Sequence, residues 1–209
     1  MRISELRDRL PRAVESRRSG FLCAVCGTLV HAEAAWWGVK LGPRCRFFGM
    51  PVLRRAAGSA ISIDEDCTFR SARSSNLAGI NRPCYISTLQ SDAEVTIGAR
   101  SGFSGTVVAA AKSVQIGRDV LCGVNTFISD TDWHPRDPVD RLLGHTGSVA
   151  PVVIEDNVWL GANVIVLKGV TIGRNSVIGA GSVVSKSIPP NSVATGTPAC
   201  MIRELEVHA

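Results

Sequence analysis

Val152–Pro190 reads VVIEDNVWLGANVIVLKGVTIGRNSVIGAGSVVSKSIPP. Every sixth residue from Ile154 is aliphatic: Ile154, Leu160, Val166, Ile172, Ile178, Val184. Three places further on stand Asn157, Asn163, Gly169, Asn175, Gly181 and Ser187. Most of these accept a left-handed backbone at little cost, Gly for want of a Cβ and Asn through local hydrogen bonds. One place further again come Val158, Val164, Val170, Ser176, Ser182 and Ile188, all small or aliphatic. A fixed period carrying both a core residue and a turn residue marks a solenoid whose repeats are buried only by their neighbours. Six residues fit a short strand, a corner and the next strand, so three hexads close a triangular coil of about 18 residues.

Composition agrees with thin coils. Gly supplies 20 of 209 residues while aromatics are only 5 %, which suits a narrow interior better than a core of large side chains. The formal charge is +5, which allows nucleic acid, an anionic surface or an anionic cofactor as partner. The chain has no recognised nucleic-acid motif and its repeat is not especially basic, so nucleic acid is set aside. The seven cysteines, Cys23, Cys26, Cys45, Cys67, Cys84, Cys122 and Cys200, are odd in number and scattered. They make no disulfide framework, and a reducing, cytoplasmic compartment is expected. Cys23-x-x-Cys26 lacks a second pair or suitably spaced histidines, so it reads as apolar packing and no metal site is expected.

Taken in order, residues 1–19 carry six arginines against three acidic residues. The apolar run Phe21–Trp37 follows, too short to span a bilayer. Residues 1–40 are read as a helical, apolar cap, with residues 1–37 able to touch the inner face of a membrane. The arginines and apolar run also imitate a secretory leader, but the apolar run begins too far along the chain. Residues 41–190 form the solenoid, irregular at first and slipping by one residue between Phe103 and Ile116. The repeat stops for a polar excursion at 130–150, DTDWHPRDPVDRLLGHTGSVA after Ser129. Long loops on a rigid scaffold are where sites are built. Residues 191–209 read as a terminal β-like strand and a charged tail.

The hexads resemble those of the left-handed parallel β-helix acyltransferases. Handedness is what that resemblance implies, since ordinary crossovers are right-handed. The resemblance tightens with His134-Pro135, then P-x-x-I-x-x-N-V-W-L-G from Pro151, G-V-T-I-G-R-N-S-V-I-G-A-G-S-V-V from Gly169, and a closing G-T-P-A at Gly196. From about Val95 to Glu204 the chain is similar to the maltose, galactoside and nodulation-type O-acetyltransferases and to acetyltransferases of surface-polysaccharide pathways.

That resemblance implies acetyl-CoA as donor, a sugar or glycan hydroxyl as acceptor, and a homotrimer with grooves between subunits. It makes His134 the general base, an imidazole suited to taking a proton near neutral pH. Asp130 and Asp132 are candidates to orient the ring or bind sugar hydroxyls, with turn capping as the competing reading. Trp133 is a candidate platform for the acceptor ring. Trp159, Gly161, Ala162, Gly179, Ala180, Ser185, Lys186 and Arg203 fall at donor-binding positions, although the glycines also belong to the repeat. His145 has no motif match and reads as a surface residue.

There are departures. An Asn and an Asp that shape the acceptor site in the sugar acetyltransferases fall here near Gly105 and on Ala111, and a basic residue of the C-terminal motif is Cys200. The maltose and galactoside pocket is therefore not carried over, which favours a polysaccharide-pathway acceptor. N-acetylation of an amino or nucleotide sugar and a non-catalytic β-helix scaffold are the alternatives. Carbonic anhydrases of this fold need three zinc-binding histidines, and none of His31, His134, His145 and His208 has matching spacing.

Overall fold

The computed structural model describes residues 23–206; the arginine-rich stretch 1–19 lies outside them. Helix α1 (residues 23–37) leads into six coils of three short strands each. Coil one holds β1 (Lys40–Leu41), β2 (Arg46–Phe48) and β3 (Val52–Arg54). Coil two holds β4 (Ala60–Ile63), β5 (Thr68–Arg70) and β6 (Tyr85–Thr88). Coil three holds β7 (Glu94–Ile97), β8 (Gly102–Ser104) and β9 (Val107–Ala110), and coil four β10 (Ser113–Ile116), β11 (Leu121–Cys122) and β12 (Phe127–Ser129). Coils five and six hold β13 (Val152–Ile154), β14 (Trp159–Leu160), β15 (Ile165–Val166), β16 (Thr171–Ile172), β17 (Val177–Ile178) and β18 (Val183–Val184). Strands β19 (Ser192–Gly196) and β20 (Ala199–Glu204) close the stack.

Corresponding strands pair in parallel from coil to coil and make three faces. Face one is β1-β4-β7-β10-β13-β16, and face three is β3-β6-β9-β12-β15-β18. Face two is β2-β5-β8-β11-β14-β17-β19-β20, with β19 and β20 antiparallel. The C-terminal region thus holds a two-stranded hairpin where the sequence suggested one strand. Gly196, at φ 107°, and Pro198 turn the chain back on itself.

The six-residue series does what its pattern requires. Ile154, Leu160, Val166, Ile172, Ile178 and Val184 are all at most 1 % exposed, and the Val158-to-Ile188 series is buried beside them. Ile154 pairs with Ile172 and Leu160 with Ile178, so a regular coil is 18 residues long. Between Phe103 and Ile116 the slip has two parts. The corner after Phe103 closes one residue early, at Gly105 with φ 58°, and the corner after Val108 runs two residues long. The coil there is 19 residues. In the first three coils the interior of face two is a stack of Phe47, Phe69 and Phe103, with ring centroids 5.2 and 5.0 Å apart. Helix α1 caps this end with Cys26, Val30 and Ala34, which join the same core. Cys26 packs as an apolar side chain, and both cysteines of the pair are free thiols.

The corner between faces one and two carries a second pattern. Arg44, Asp66, Arg100, Asp119, Asn157, Asn175 and Asn191 stand there one above another, each with φ between 55° and 61°. Left-handed backbone disfavours residues with a Cβ by roughly 1–2 kcal/mol, and the ladder offsets that. Arg44 binds Asp66 and Arg100 binds Asp119 through paired hydrogen bonds. Asn157 donates to Asn175 at 3.0 Å and Asn175 to Asn191 at 2.7 Å. Ser187 leaves the turn series, because the chain shortens its last crossing and Ile188 bridges to Ile172.

Asn175→Val is expected to destabilise the chain by about 2 kcal/mol, through left-handed strain and loss of both ladder bonds. Asn175→Gly keeps the conformation and should cost about half as much. Urea denaturation followed by circular dichroism checks the order, and equal losses would show that backbone conformation is not what the ladder supports.

Candidate active site

The excursion leaves β12 on face three and returns to β13 on face one, so it projects from the corner joining those faces. Its base is a ribbon. Thr131 bridges antiparallel to Val149, Asp132 N donates to Ser148 O at 3.0 Å, and Ala150 N donates to Asp130 O at 2.9 Å. Gly147 is buried there, and a side chain is excluded because a Cβ on it would stand 2.8 Å from both the backbone N and O of His134. At the tip, Asp137 accepts from Val139 N and Asp140 N and caps the short helix α2 (Pro138–Leu142). His145 meets Asp140 at 3.1 Å on this tip, a surface pair in keeping with its lack of a motif.

Asp130 does not reach an acceptor or the imidazole. Its side chain is fully buried, and its oxygens accept from Ala111 N (2.6 Å), Lys112 N (2.7 Å) and Ser113 N (2.7 Å). Those three amides belong to the overlong corner after Val108. An extended corner leaves donors without strand partners, and a buried donor must be satisfied. The capping role therefore replaces the substrate-binding one.

Asp132 is also engaged away from His134. It accepts from the Ser148 hydroxyl at 2.7 Å and pairs with Lys168 Nζ at 2.9 Å, with Arg136 at 3.7 Å. The Ser148 hydroxyl and then the Lys168 ammonium hold its carboxyl below the usual carboxylate range. Neither aspartate orients His134 within this chain. The His134 backbone N bonds to Asp132 O at 2.7 Å, while its exposed ring has no hydrogen-bond partner among the described residues. Trp133 precedes it at φ 63° and 46 % exposed. A bulky side chain in that region is a local strain of the kind that collects at functional positions.

The remaining candidates divide between two edges of the prism. Ser185 and Lys186 follow β18 and lie exposed on the same corner as the loop, Lys186 one coil beyond Lys168. Gly161, Ala162, Gly179 and Ala180 lie on the corner between faces two and three. A Cβ on Gly161 would stand 2.6 Å from Ala180 N, and one on Gly179 2.6 Å from Thr195 Oγ1. Coil stacking alone thus demands both glycines. Trp159 points outward from face two at 53 % exposure. Its row runs Trp159, Val177, Val193, Arg203, which sets Arg203 three strand spacings away, roughly 14 Å. One chain brings Trp159 and Arg203 onto one row and keeps both from the His134 edge.

Comparison with known proteins accounts for the repeat. Residues 151–186 match the bacterial transferase hexapeptide model, described as six repeats. Coils five and six thus carry a hexapeptide repeat of the kind that model describes. A galactoside O-acetyltransferase of Lactococcus lactis is 54 % identical over 90 residues, 43 % of this chain and 42 % of that protein. The chain spans less than half the length of three curated relatives that it matches. A solved galactoside acetyltransferase in complex with coenzyme A is 34 % identical over 68 % of this chain and 66 % of its own, with a TM-score of 0.52. An N-acyltransferase from Bacillus cereus superposes over 84 % of this chain and 88 % of its own with a TM-score of 0.64 at 17 % identity, which shows the fold alone. The hexapeptide coils are left-handed, the point that periodicity left open.

Sequence reasoning missed Lys168, Ser148 and Gly147, which fix the loop. For Lys168 there was a signal: it stands one coil-length before Lys186. For the others there was none, since their role depends on the return strand of the excursion. The depressed Asp132 carboxyl stabilises the tether above its unfolded value, near pH 4, and that contribution is lost as pH falls through the lower folded value. Protection from hydrogen exchange across residues 131–149, taken relative to the intrinsic rate at each pH, is therefore expected to hold from about pH 5 upward and to fall in more acid solution, and above that pH to be lower in Asp132→Asn and Lys168→Met. Unchanged exchange in both variants would show that the tether does not hold the loop.

Proposed function

We propose that this chain is an acetyl-CoA-dependent O-acetyltransferase acting on a sugar or glycan hydroxyl, with surface polysaccharide as the setting and His134 as general base. The observation that carries the reading is the placement of His134, which is exposed, without a ring partner among the described residues and fixed at its backbone, on a tethered loop projecting from the coils. The relatives' names, galactoside O-acetyltransferase and galactoside acetyltransferase in complex with coenzyme A, supply the donor and the acceptor class. His134 takes the hydroxyl proton as that oxygen attacks the thioester carbonyl carbon. The C–S bond then breaks, and the imidazolium returns its proton to the leaving thiolate. No covalent enzyme intermediate is needed. Among the cysteines, Cys84 and Cys122 are buried, which pushes their thiols up.

The reading includes a homotrimer. His134, Ser185 and Lys186 occupy one edge while Trp159, Ala162, Ala180 and Arg203 occupy another edge and face, so a second copy completes the site. The outward rows support this. On face three the row is Val52, Tyr85, Val107, Phe127, Ile165, Val183, apolar through all six coils. On face two Leu121, Trp159 and Val177 continue the apolar surface. Face one presents Ser62, Thr96, Gln115, Val153 and Thr171 in the corresponding row, a surface suited to water. Closed cyclic symmetry with one patch meeting another accounts for two apolar faces and one polar face. In this reading Lys186 and Arg203 meet donor phosphates, Trp133 lies beneath the acceptor, and the protein works in the cytoplasm. The exposed side chains of Val25, Leu29 and Trp36 on α1 would lie against the inner membrane face. No described helix is long and apolar enough to cross a membrane.

Free-thiol release from acetyl-CoA with a panel of sugars, sugar phosphates and glycans tests the activity. His134→Ala should lose about 100-fold or more in turnover and keep acetyl-CoA binding; equal turnover in the variant would overturn the assignment. Light scattering should give three times the 22.2 kDa chain mass, and Phe127→Asp should dissociate it with loss of turnover. A fully active monomer would contradict the composite site.

A further inference from the structure

Below Leu121 on the outward row of face two, the sheet has a notch. The row runs Arg46, Thr68, Gly102, Leu121, Trp159, and Gly102 contributes no side chain between Thr68 and Leu121. The concavity this leaves is lined by Arg46, Arg70 and Arg100 with Thr68, Leu121 and one acidic residue, Asp66. That acid is already bonded twice to Arg44, and Arg100 is bonded twice to Asp119. Arg46 and Arg70 have no acidic partner among the described residues. Arg46 reaches only the Thr68 hydroxyl, at 3.1 Å. Arg70 is held in place by Ser75 O at 2.6 Å and by stacking over Phe48, 4.7 Å from the ring centroid. Three guanidiniums facing the single carboxylate of Asp66, two of them without an ion-pair partner among the described residues and one pre-oriented, beside a floor without a side chain suit a compact, multiply charged anion. Guanidinium forks match phosphate oxygens in geometry as well as charge.

We propose that this notch binds the phosphate of a phosphorylated acceptor, a sugar phosphate or a sugar joined to a nucleoside diphosphate. The assignment of the phosphate to the acceptor rests on the acetyl-transfer reading above. It follows from position along the row. The donor residues Trp159 and Arg203 stand at coil five and beyond. The His134 loop leaves coil four and is tied to coil five by Lys168. The notch is centred on coil three, on the far side of that level from the donor. In a trimer with parallel coil axes, the notch lies one to two strand spacings, about 5–10 Å, from the level of a neighbour's His134. A phosphate on the sugar that presents its hydroxyl there spans that distance. Nothing in the acetyl-transfer chemistry itself requires charge in the notch.

Titration calorimetry on the full chain tests the inference directly, with inorganic pyrophosphate and uridine diphosphate as probes, glucuronate as a carboxylate control, and acetyl-CoA measured in parallel. Gly102 tolerates a side chain, since its added Cβ would meet only Leu121 Cδ2 at 3.4 Å, so Gly102→Thr fills the notch without strain. Pyrophosphate and uridine diphosphate should bind, more weakly as salt is raised, and glucuronate should not. Arg46→Gln and Gly102→Thr should each weaken both phosphate probes about tenfold while leaving the thermal midpoint and acetyl-CoA affinity unchanged. Phosphate binding that is absent from the wild-type chain overturns the notch. So does binding that survives both variants, or binding merely displaced by acetyl-CoA, because the probe then sits at the donor's own phosphate positions. Phosphate binding lost in the variants without any acetyl-CoA binding leaves the notch standing and overturns acetyl transfer instead.

Discussion

The inner residues of each coil are buried by the coil above and the coil below. Leu160 sits between Cys122 and Ile178, and Val166 between Ile128 and Val184. No coil could exclude water alone, so the stack holds only if every coil keeps its three inner residues in register. That constraint fixes the outward residues as well. A side chain one place from an inner one points out of the prism at a known face and level. This is why Trp159 and Arg203 share a row and why Gly102 leaves a gap in it.

The same constraint explains why the candidate site sits where regularity fails. A coil of fixed length has no room for a flexible side-chain constellation. Three departures from 18 residues stand out, the long connection Ser71–Cys84 in coil two, the overlong corner after Val108 and the excursion 130–150, beside longer corners after Leu53 and Ile86. The second and third are coupled through Asp130, whose carboxylate satisfies the amides of the longer corner from the first residue of the loop. The loop is then secured from the next coil by Lys168 and from its own return strand by Ser148. His134 is held by its backbone rather than its ring.

The regular coils were legible in the sequence because their signal is local and repeats six times. The corner residues of the last coils were legible too, since Asn and Gly announce left-handed backbone. Arg44, Asp66 and Arg100 did not announce it. Their conformation is supported by ion pairs between coils whose separation in sequence depends on insertions that periodicity does not measure. For the candidate site, His134 was singled out by its motif, while the reading of Asp130 did not foresee its buried capping role. The type of an aspartate beside a candidate catalytic loop says nothing of whether its carboxylate faces solvent or three unpaired amides. Gly161 and Gly179 were read as donor positions, yet the stack requires them with or without a donor. Lys168 went unnoticed because its partner is in another coil.

The central claim is that each site is built from the loop edge of one chain and the Trp159 face of another. Mixed trimers test it most directly, formed from His134→Ala and Trp159→Ala chains after each variant alone has been shown to be inactive. If the two halves come from different chains, random mixing at equal amounts leaves about a quarter of the sites with both halves intact, and thiol release from acetyl-CoA should recover to about that fraction of wild type. If His134 and Trp159 served the same site from one chain, no mixed trimer would contain an intact site, and the mixture would be as inactive as its parents.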